Sequence, residues 1–207
     1  IELMLNATPV KSKHFTWDLT LNWSRNRSKV ISLYEGVESL YIGGFEGSDA
    51  RAFVGQPYGV LYGGVWERDG SGNIIIEDDP TSFYYGFPLA SADLKVIGDP
   101  NPDWIGSISN TFSYKRWSLN VLIERRQGGD IWNGTKGALT FFGMSELTEN
   151  RGTTQVFEGV KASDGTPNDI SVTLGEDWYT DNGGGFGAVT EQFIEDGSYT
   201  RLRQASL

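Results

Sequence analysis

The sequence of 207 residues has no cysteine, which excludes a disulfide framework and any thiolate metal site. Its one histidine, His14, lies beside a turn with no nucleophile pattern around it, so neither a Ser-His-Asp arrangement nor a zinc site is expected. Basic charge is scarce too. Seventeen Lys and Arg against 27 Asp and Glu leave a net charge of −10, the wrong sign for displacing counterions from nucleic acid. No run of about 18 apolar residues exists, so no membrane-spanning helix is expected. That absence does not bear on strands, because a membrane β-strand needs only about 9–11 residues, half of them polar. No leader peptide is recognisable either. The chain begins and stops inside strand-like sequence and reads as a piece of a longer protein.

What is present is glycine (27), aromatic residues (7 Trp, 9 Tyr, 11 Phe) and period-two alternation. In DWIGSISNTFSYKRWSLNVLIERR, residues 103–126, Trp104, Ile108, Phe112 and Tyr114 alternate with Ser107, Ser109, Thr111 and Ser113. After Lys115-Arg116, Trp117, Leu119, Val121 and Ile123 alternate with Ser118, Asn120 and Glu124. Two such runs around a two-residue link predict an antiparallel hairpin. A second hairpin is predicted at the start. Ile1, Leu3, Leu5 and Ala7 precede a link at 10–13, and Phe15, Trp17, Leu19, Leu21 and Trp23 follow it. A fifth strand is expected over 193–207.

Between these strands lie two long irregular regions, 31–102 and 127–191. The first holds a predicted small hairpin, 60–66 with 73–76 around Asp69-Gly70-Ser71-Gly72. The second holds a predicted short helix within 136–151, interrupted by Gly143, and a GGGFG loop tip at 183–187. Charge is sorted in the same way: 31–102 carries 11 acidic and 3 basic residues and 127–191 carries 10 and 3, whereas Lys11, Lys13, Lys115 and Arg116 sit at the short links. Short links at one rim and long loops at the other describe a transmembrane β-barrel. A secreted, carbohydrate-binding β-sandwich with a solvated polar face fits the alternation as well. A glycoside hydrolase of β architecture is a third reading, since carboxylates are plentiful although nothing singles out a pair.

Two local motifs have plainer explanations. Asp69, Ser71 and Asn73 sit at alternate positions as in a calcium loop, but Ile74 and Pro80 stand where Gly and Glu are required, so a turn is expected. The four Asn-x-Ser/Thr triplets at Asn6, Asn22, Asn26 and Asn133 follow by chance from strands rich in those residues.

Residues 97–135, IGDPNPDWIGSISNTFSYKRWSLNVLIERRQGGDIWNGT, resemble a stretch of the SusC/RagA family of TonB-linked outer-membrane proteins. There a Gly-Asp/Asn-x-x-Pro-Asp segment leads into a descending strand, and the next strand ends near Gly-Gly-Asp-Ile-Tyr-Asn. Trp132 stands here in place of that Tyr. Residues 1–33 are similar to the family's Trp-containing strand pair, and FIEDGSYTRLRQASL (193–207) resembles its Asp-x-Ser-Tyr-x-Arg-Leu-Arg strand near the carboxyl end. The resemblance implies an all-β chain forming part of a large, 22-stranded antiparallel barrel in the outer membrane of a Bacteroidetes-type bacterium. About five strands would be contributed here, with the plug, the early strands and the last strands absent.

The same resemblance implies import of oligosaccharides or peptides with a SusD-like surface lipoprotein, powered by TonB through the missing amino-terminal region. It implies no enzymatic activity and no cofactor. Outer-membrane lipid would cover the apolar face, while Asp18, Asn22, Asn120, Glu124 and Arg126 would face the lumen. The loop regions 31–102 and 127–191 would be extracellular. Trp132, Tyr84, Tyr85, Trp178 and Tyr179 are the candidates for ligand contact there.

Overall fold

The computed structural model describes residues 1–45, 47–184 and 189–207. The alternating segments form long strands and the irregular regions form short ones. The chain opens with β1 (Glu2–Lys11) and β2 (Phe15–Ser24). It then leaves them for β3 (Ser39–Phe45), β4 (Ser48–Phe53), β5 (Val60–Gly63), β6 (Ile75–Ile76) and β7 (Lys95–Gly98). It returns as β8 (Trp104–Tyr114) and β9 (Trp117–Gln127). The second excursion comprises β10 (Asp130–Trp132), α1 (Gly134–Phe141), β11 (Thr154–Val156), β12 (Val160–Lys161), β13 (Ser171–Thr173), α2 (Glu176–Thr180) and β14 (Ile194–Asp196). β15 (Tyr199–Ser206) closes the chain.

The five long strands make one open antiparallel sheet in the order β1-β2-β8-β9-β15, leaving β1 and β15 as its edges. Cross-strand register sorts the side chains into two faces. One carries rows such as Leu5, Leu21, Ile108, Ile123 and Leu202, and Trp17 opposite Phe112 opposite Leu119. The other carries Asp18 with Thr111 and Asn120, and Asn22 with Ser107 and Glu124. Asn110 is a polar exception on the apolar face, and its Oδ1 accepts from the Trp17 indole at 3.0 Å.

No side chain of the apolar face is fully buried. Trp117 is 66% exposed, Leu202 62% and Leu119 37%. The buried hydrophobic residues, among them Val60, Trp66, Ile76, Phe87, Leu174, Tyr179 and Phe193, all lie outside the five strands. Among the described residues, no second sheet covers the apolar face, as a sandwich requires. The loop regions instead supply their own core.

That core joins both excursions. Trp178 stacks on Trp66 and Phe87 at centroid distances of 6.0 and 5.4 Å, and Phe157 closes on it at 4.6 Å. β6 pairs with β12 in parallel, and β3-β4-β5-β7 form a second, smaller sheet.

Several boundaries differ from the sequence reading. The first link is residues 12–14 rather than 10–13, because β1 runs on to Lys11 past a bulge between Ala7 and Val10 that accommodates Pro9. The Asp69–Gly72 turn is present, with the Asp69 N–H bonded to the Asn73 carbonyl at 2.9 Å. Its arms are residues 66–68 and 73–76, since β5 pairs with β4 and β7. The strand expected over 193–207 breaks at Gly197, where a Cβ would lie 2.5 Å from the Gly129 carbonyl oxygen.

The expected helix is α1, capped by Asn133, whose side chain accepts from the Lys136 N–H at 2.9 Å. Gly143 ends it at φ +68°, with Gly143 N–H bonded to the Thr140 carbonyl and Met144 N–H to the Leu139 carbonyl, the pairing of a Schellman cap. The GGGFG tip falls from residue 185 onward outside the described residues.

Candidate functional site

Three sequence motifs converge where the long strands leave the sheet. β8 is entered through Gly98-Asp99-Pro100-Asn101-Pro102-Asp103, β9 leaves through Gly128-Gly129-Asp130, and β15 is entered through Asp196-Gly197-Ser198. Asp130 N–H donates to the Asp99 carbonyl at 2.7 Å, and Asp99 N–H returns a bond to Asp130 Oδ2 at 2.7 Å. Arg126 Nη2 donates to the Pro100 carbonyl at 2.7 Å. Ser198 Oγ accepts from Gly128 N–H at 2.7 Å, and Gly197 N–H donates to the Gly129 carbonyl at 2.7 Å.

Both glycines are required. Gly128 and Gly129 have φ of +72° and +85°, and a Cβ on them would lie 2.5 Å from Asp103 Oδ2 and 2.6 Å from Arg126 Nη2. This clasp fixes the rim from which both loop regions rise, and the Arg27–Asp103 ion pair at 2.6 Å flanks it.

Along the polar face, a bulge in β15 between Leu202 and Gln204 brings two arginines to one carboxylate. Arg201 Nη2 meets Glu124 Oε1 at 2.8 Å and Arg203 Nε meets Oε2 at 3.2 Å, while the Tyr199 hydroxyl donates to Oε1 at 3.0 Å. Sequence reasoning placed Glu124 on this face but missed its partners, because the bulge that aims Arg203 leaves no trace in the alternation. Asp18, Asn22 and Asn120 share the face by register, and Arg126 stands on it at the rim, committed to the clasp. A hollow of ≈ 300 Å³ opens there between Met4, Asn22, Ser107 and Glu124.

The five aromatic candidates are scattered over the loop regions. Tyr85 is exposed at 38%. Tyr84 is half-buried, and its hydrogen bond to Asp181 raises its pKa. Trp178 is part of the aromatic stack. Tyr179 is buried, its hydroxyl has no hydrogen-bond partner among the described residues, and burial pushes its pKa up. Trp132 is half-buried, and its indole N–H has no partner among the described residues. Phe83 (67% exposed), Tyr34 (86%) and Tyr41 (58%) present more surface, and sequence reasoning passed them over because period-two analysis gives no reading in irregular sequence.

Around them, acidic side chains are tied into local turns. The Asn73 side chain holds the Asp69 carboxyl below its ordinary range, and the Ser198 hydroxyl does the same for Asp196. Asp69 Oδ1 accepts from the Ser71 and Asn73 N–H groups at 2.8 and 2.9 Å, which is the geometry of a turn. Among the described residues, no group of three or more His, Asp or Glu side chains is disposed to hold a metal ion.

No protein-family model matches the chain. TonB-dependent receptor P3 of Formosa agariphila is 25% identical over 223 residues, covering 99% of this chain and 21% of its own length. TonB-dependent receptor P26 of the same organism is 29% identical over 224 residues, covering 100% of this chain and 21% of its own length. Among solved structures, the RagAB peptide transporter superposes with a TM-score of 0.54 at 14% identity, over 99% of this chain and 22% of that chain. At that identity the likeness is one of fold. The chain thus spans about a fifth of the length of its curated relatives, which are receptors rather than enzymes. Its five-stranded sheet is part of a large transmembrane antiparallel β-barrel, the expectation that the resemblance to SusC/RagA proteins carried.

Proposed function

We propose that this chain, related along its whole length to TonB-dependent receptors, forms part of the wall of an outer-membrane importer that takes up oligosaccharides or peptides. The observation that carries the reading is the pairing of an uncovered apolar face with a polar opposite face that bears the Glu124–Arg201–Arg203 cluster. In a barrel the first meets lipid and the second a watery lumen.

The Asp18, Asn22, Asn120, Glu124 and Arg126 side chains would line the lumen. The loop regions 31–102 and 127–191 would project outside the cell and meet both the incoming ligand and a SusD-like surface lipoprotein. Tyr84 and Tyr85 are the first choices for stacking on a ligand ring, because Trp178 and Tyr179 serve the loop core and Trp132 packs beside α1. Energy would come from TonB acting on a plug domain of the full-length protein.

The test is uptake by whole cells expressing the full-length receptor, with and without TonB and the neighbouring lipoprotein. Accumulation of a labelled oligosaccharide or peptide should require all three. Uptake that persists without TonB refutes the proposal.

A further inference from the structure

The apolar face is not uniform. Near the rim that carries the long loops, Trp23, Gly106, Arg125 and Thr200 form one row across β2, β8, β9 and β15, and the row below it is Leu21, Ile108, Ile123 and Leu202. Gly106 leaves a notch in the upper row. The Trp104 ring lies over it, so that a Cβ there would meet that ring at 3.1 Å. The result is a shallow groove of ≈ 320 Å³ floored by Leu21, Ile108 and Ile123, walled by Trp23 and headed by Arg125.

Arginine on a lipid-facing wall is costly unless it lies at the interface, where its head meets water or an anion. Arg125 lies one row from Trp104 near the end of the sheet, the level that an interfacial aromatic girdle would mark. Its guanidinium donates to two neutral acceptors, Thr200 Oγ1 at 3.0 Å and Gln127 Oε1 at 2.6 Å, which aim it without neutralising it. Among the described residues it forms no salt bridge. Asp196 is close enough for Arg125 to help lower its pKa, but its carboxylate is engaged by Ser198.

We infer that this groove is a seat for a phosphate-bearing membrane lipid, with the headgroup phosphate on Arg125 and an acyl chain lying over Leu21, Ile108 and Ile123. Charge complementarity selects an anionic headgroup, and continuity with the apolar band selects an acyl chain over a protein partner. A guanidinium supported by Thr200 and Gln127 still has N–H groups for two phosphate oxygens. The seat depends on the face being lipid-facing and not on which nutrient crosses the barrel.

The test is native mass spectrometry of the full-length receptor in detergent, titrated with dipalmitoyl phosphatidic acid or with the diacylglycerol bearing the same chains. Phosphatidic acid should remain bound in preference to diacylglycerol. Arg125→Gln should reduce that preference roughly fivefold, the worth of one arginine at an anionic surface, and Arg125→Lys should keep most of it. Inorganic phosphate at equal concentration should not displace the lipid. Equal retention of the two lipids by the unaltered receptor overturns the inference even if Arg125→Gln fails to fold, and displacement by inorganic phosphate reduces the site to a simple anion contact.

Discussion

At the level of single residues, the two faces of the sheet make opposite demands on neighbouring positions. Val121 lies in the middle row of the apolar face, opposite Asn110 and Ala205, whereas Asn120 points to the polar face opposite Thr111. Val121→Arg should therefore cost roughly 2–4 kcal/mol in a lipid-embedded barrel, because the guanidinium must be dehydrated near the midplane. Asn120→Arg, one position away, should cost under about 1 kcal/mol, since such a position stays in water. Equilibrium unfolding of the full-length protein from vesicles measures both, and equal costs would mean that the faces have been assigned wrongly. The glycines of the clasp make a different demand. Gly129→Ala places a methyl group 2.6 Å from Arg126 Nη2 and 2.9 Å from the Pro100 carbonyl oxygen at φ +85°. Strain of that kind costs about 1–3 kcal/mol, so the same unfolding experiment should show a loss of that size, whereas Gly70→Ala, with open space around it, should change little.

Among the elements, the long strands were legible in the sequence and the loop regions were not, for a physical reason. A strand with one apolar face writes its orientation into every second residue, so the sequence alone assigns Trp17-Leu19-Leu21 and Leu119-Val121-Ile123 to one face. Strands of three or four residues such as β5, β10 and β13 are too short to show a period. Their pairings depend on distant partners, as when β6 finds β12 some 85 residues away. The bulges of β1 and β15 were hidden too, since an inserted residue appears only as a lapse in alternation. The turns inside the loops rest on carboxylates, and this makes them acid-sensitive. Asp69 is held low by Asn73, Asp79 and Asp164 mainly by the N–H groups of Thr81 and Thr166, and Asp196 by the Ser198 hydroxyl. For a carboxyl with a depressed folded pKa, the stabilisation is fully present above its ordinary value of 3.8 and is lost as pH falls through the lower folded value. Protection of the loop regions against hydrogen exchange, corrected for the intrinsic pH dependence of amide exchange, should be flat from pH 7 to about 5 and should fall below about pH 4, while the five long strands remain protected.

At the scale of the whole molecule, the sheet is an open band whose edges, β1 and β15, expose unpaired N–H and C=O groups beside apolar side chains such as Leu3 and Leu202. Residues 1–207 expressed alone should therefore associate, because such an edge templates further pairing; a monodisperse, detergent-free monomer in light scattering would argue against a barrel wall. The direction of each strand then determines which side of the membrane each segment occupies. β1 and β2 are joined by residues 12–14, β8 and β9 by Lys115-Arg116, and the Lys115 N–H donates to the His14 carbonyl at 3.0 Å, so both short turns lie together at one rim. Between the end of β2 and the start of β8, and again between β9 and β15, no strand among the described residues joins this sheet. Both excursions must therefore emerge at the opposite rim, where the clasp of Asp99, Asp130 and Ser198 gathers them. Their shared core of Trp66, Phe87, Phe157 and Trp178 is consistent with a single raised structure. On the proposed reading the acidic loops would face outward and the basic short turns would face the periplasm. On intact cells, an added protease should cut within 31–102 or 127–191, at exposed points such as the Asp69–Gly72 turn, and should spare Lys115-Arg116 even though that pair is a trypsin site. Permeabilising the outer membrane should expose the Lys115-Arg116 bond. Cutting at Lys115-Arg116 on intact cells, with the loops protected, would invert the topology and remove the basis for placing the ligand-binding surface in the loops.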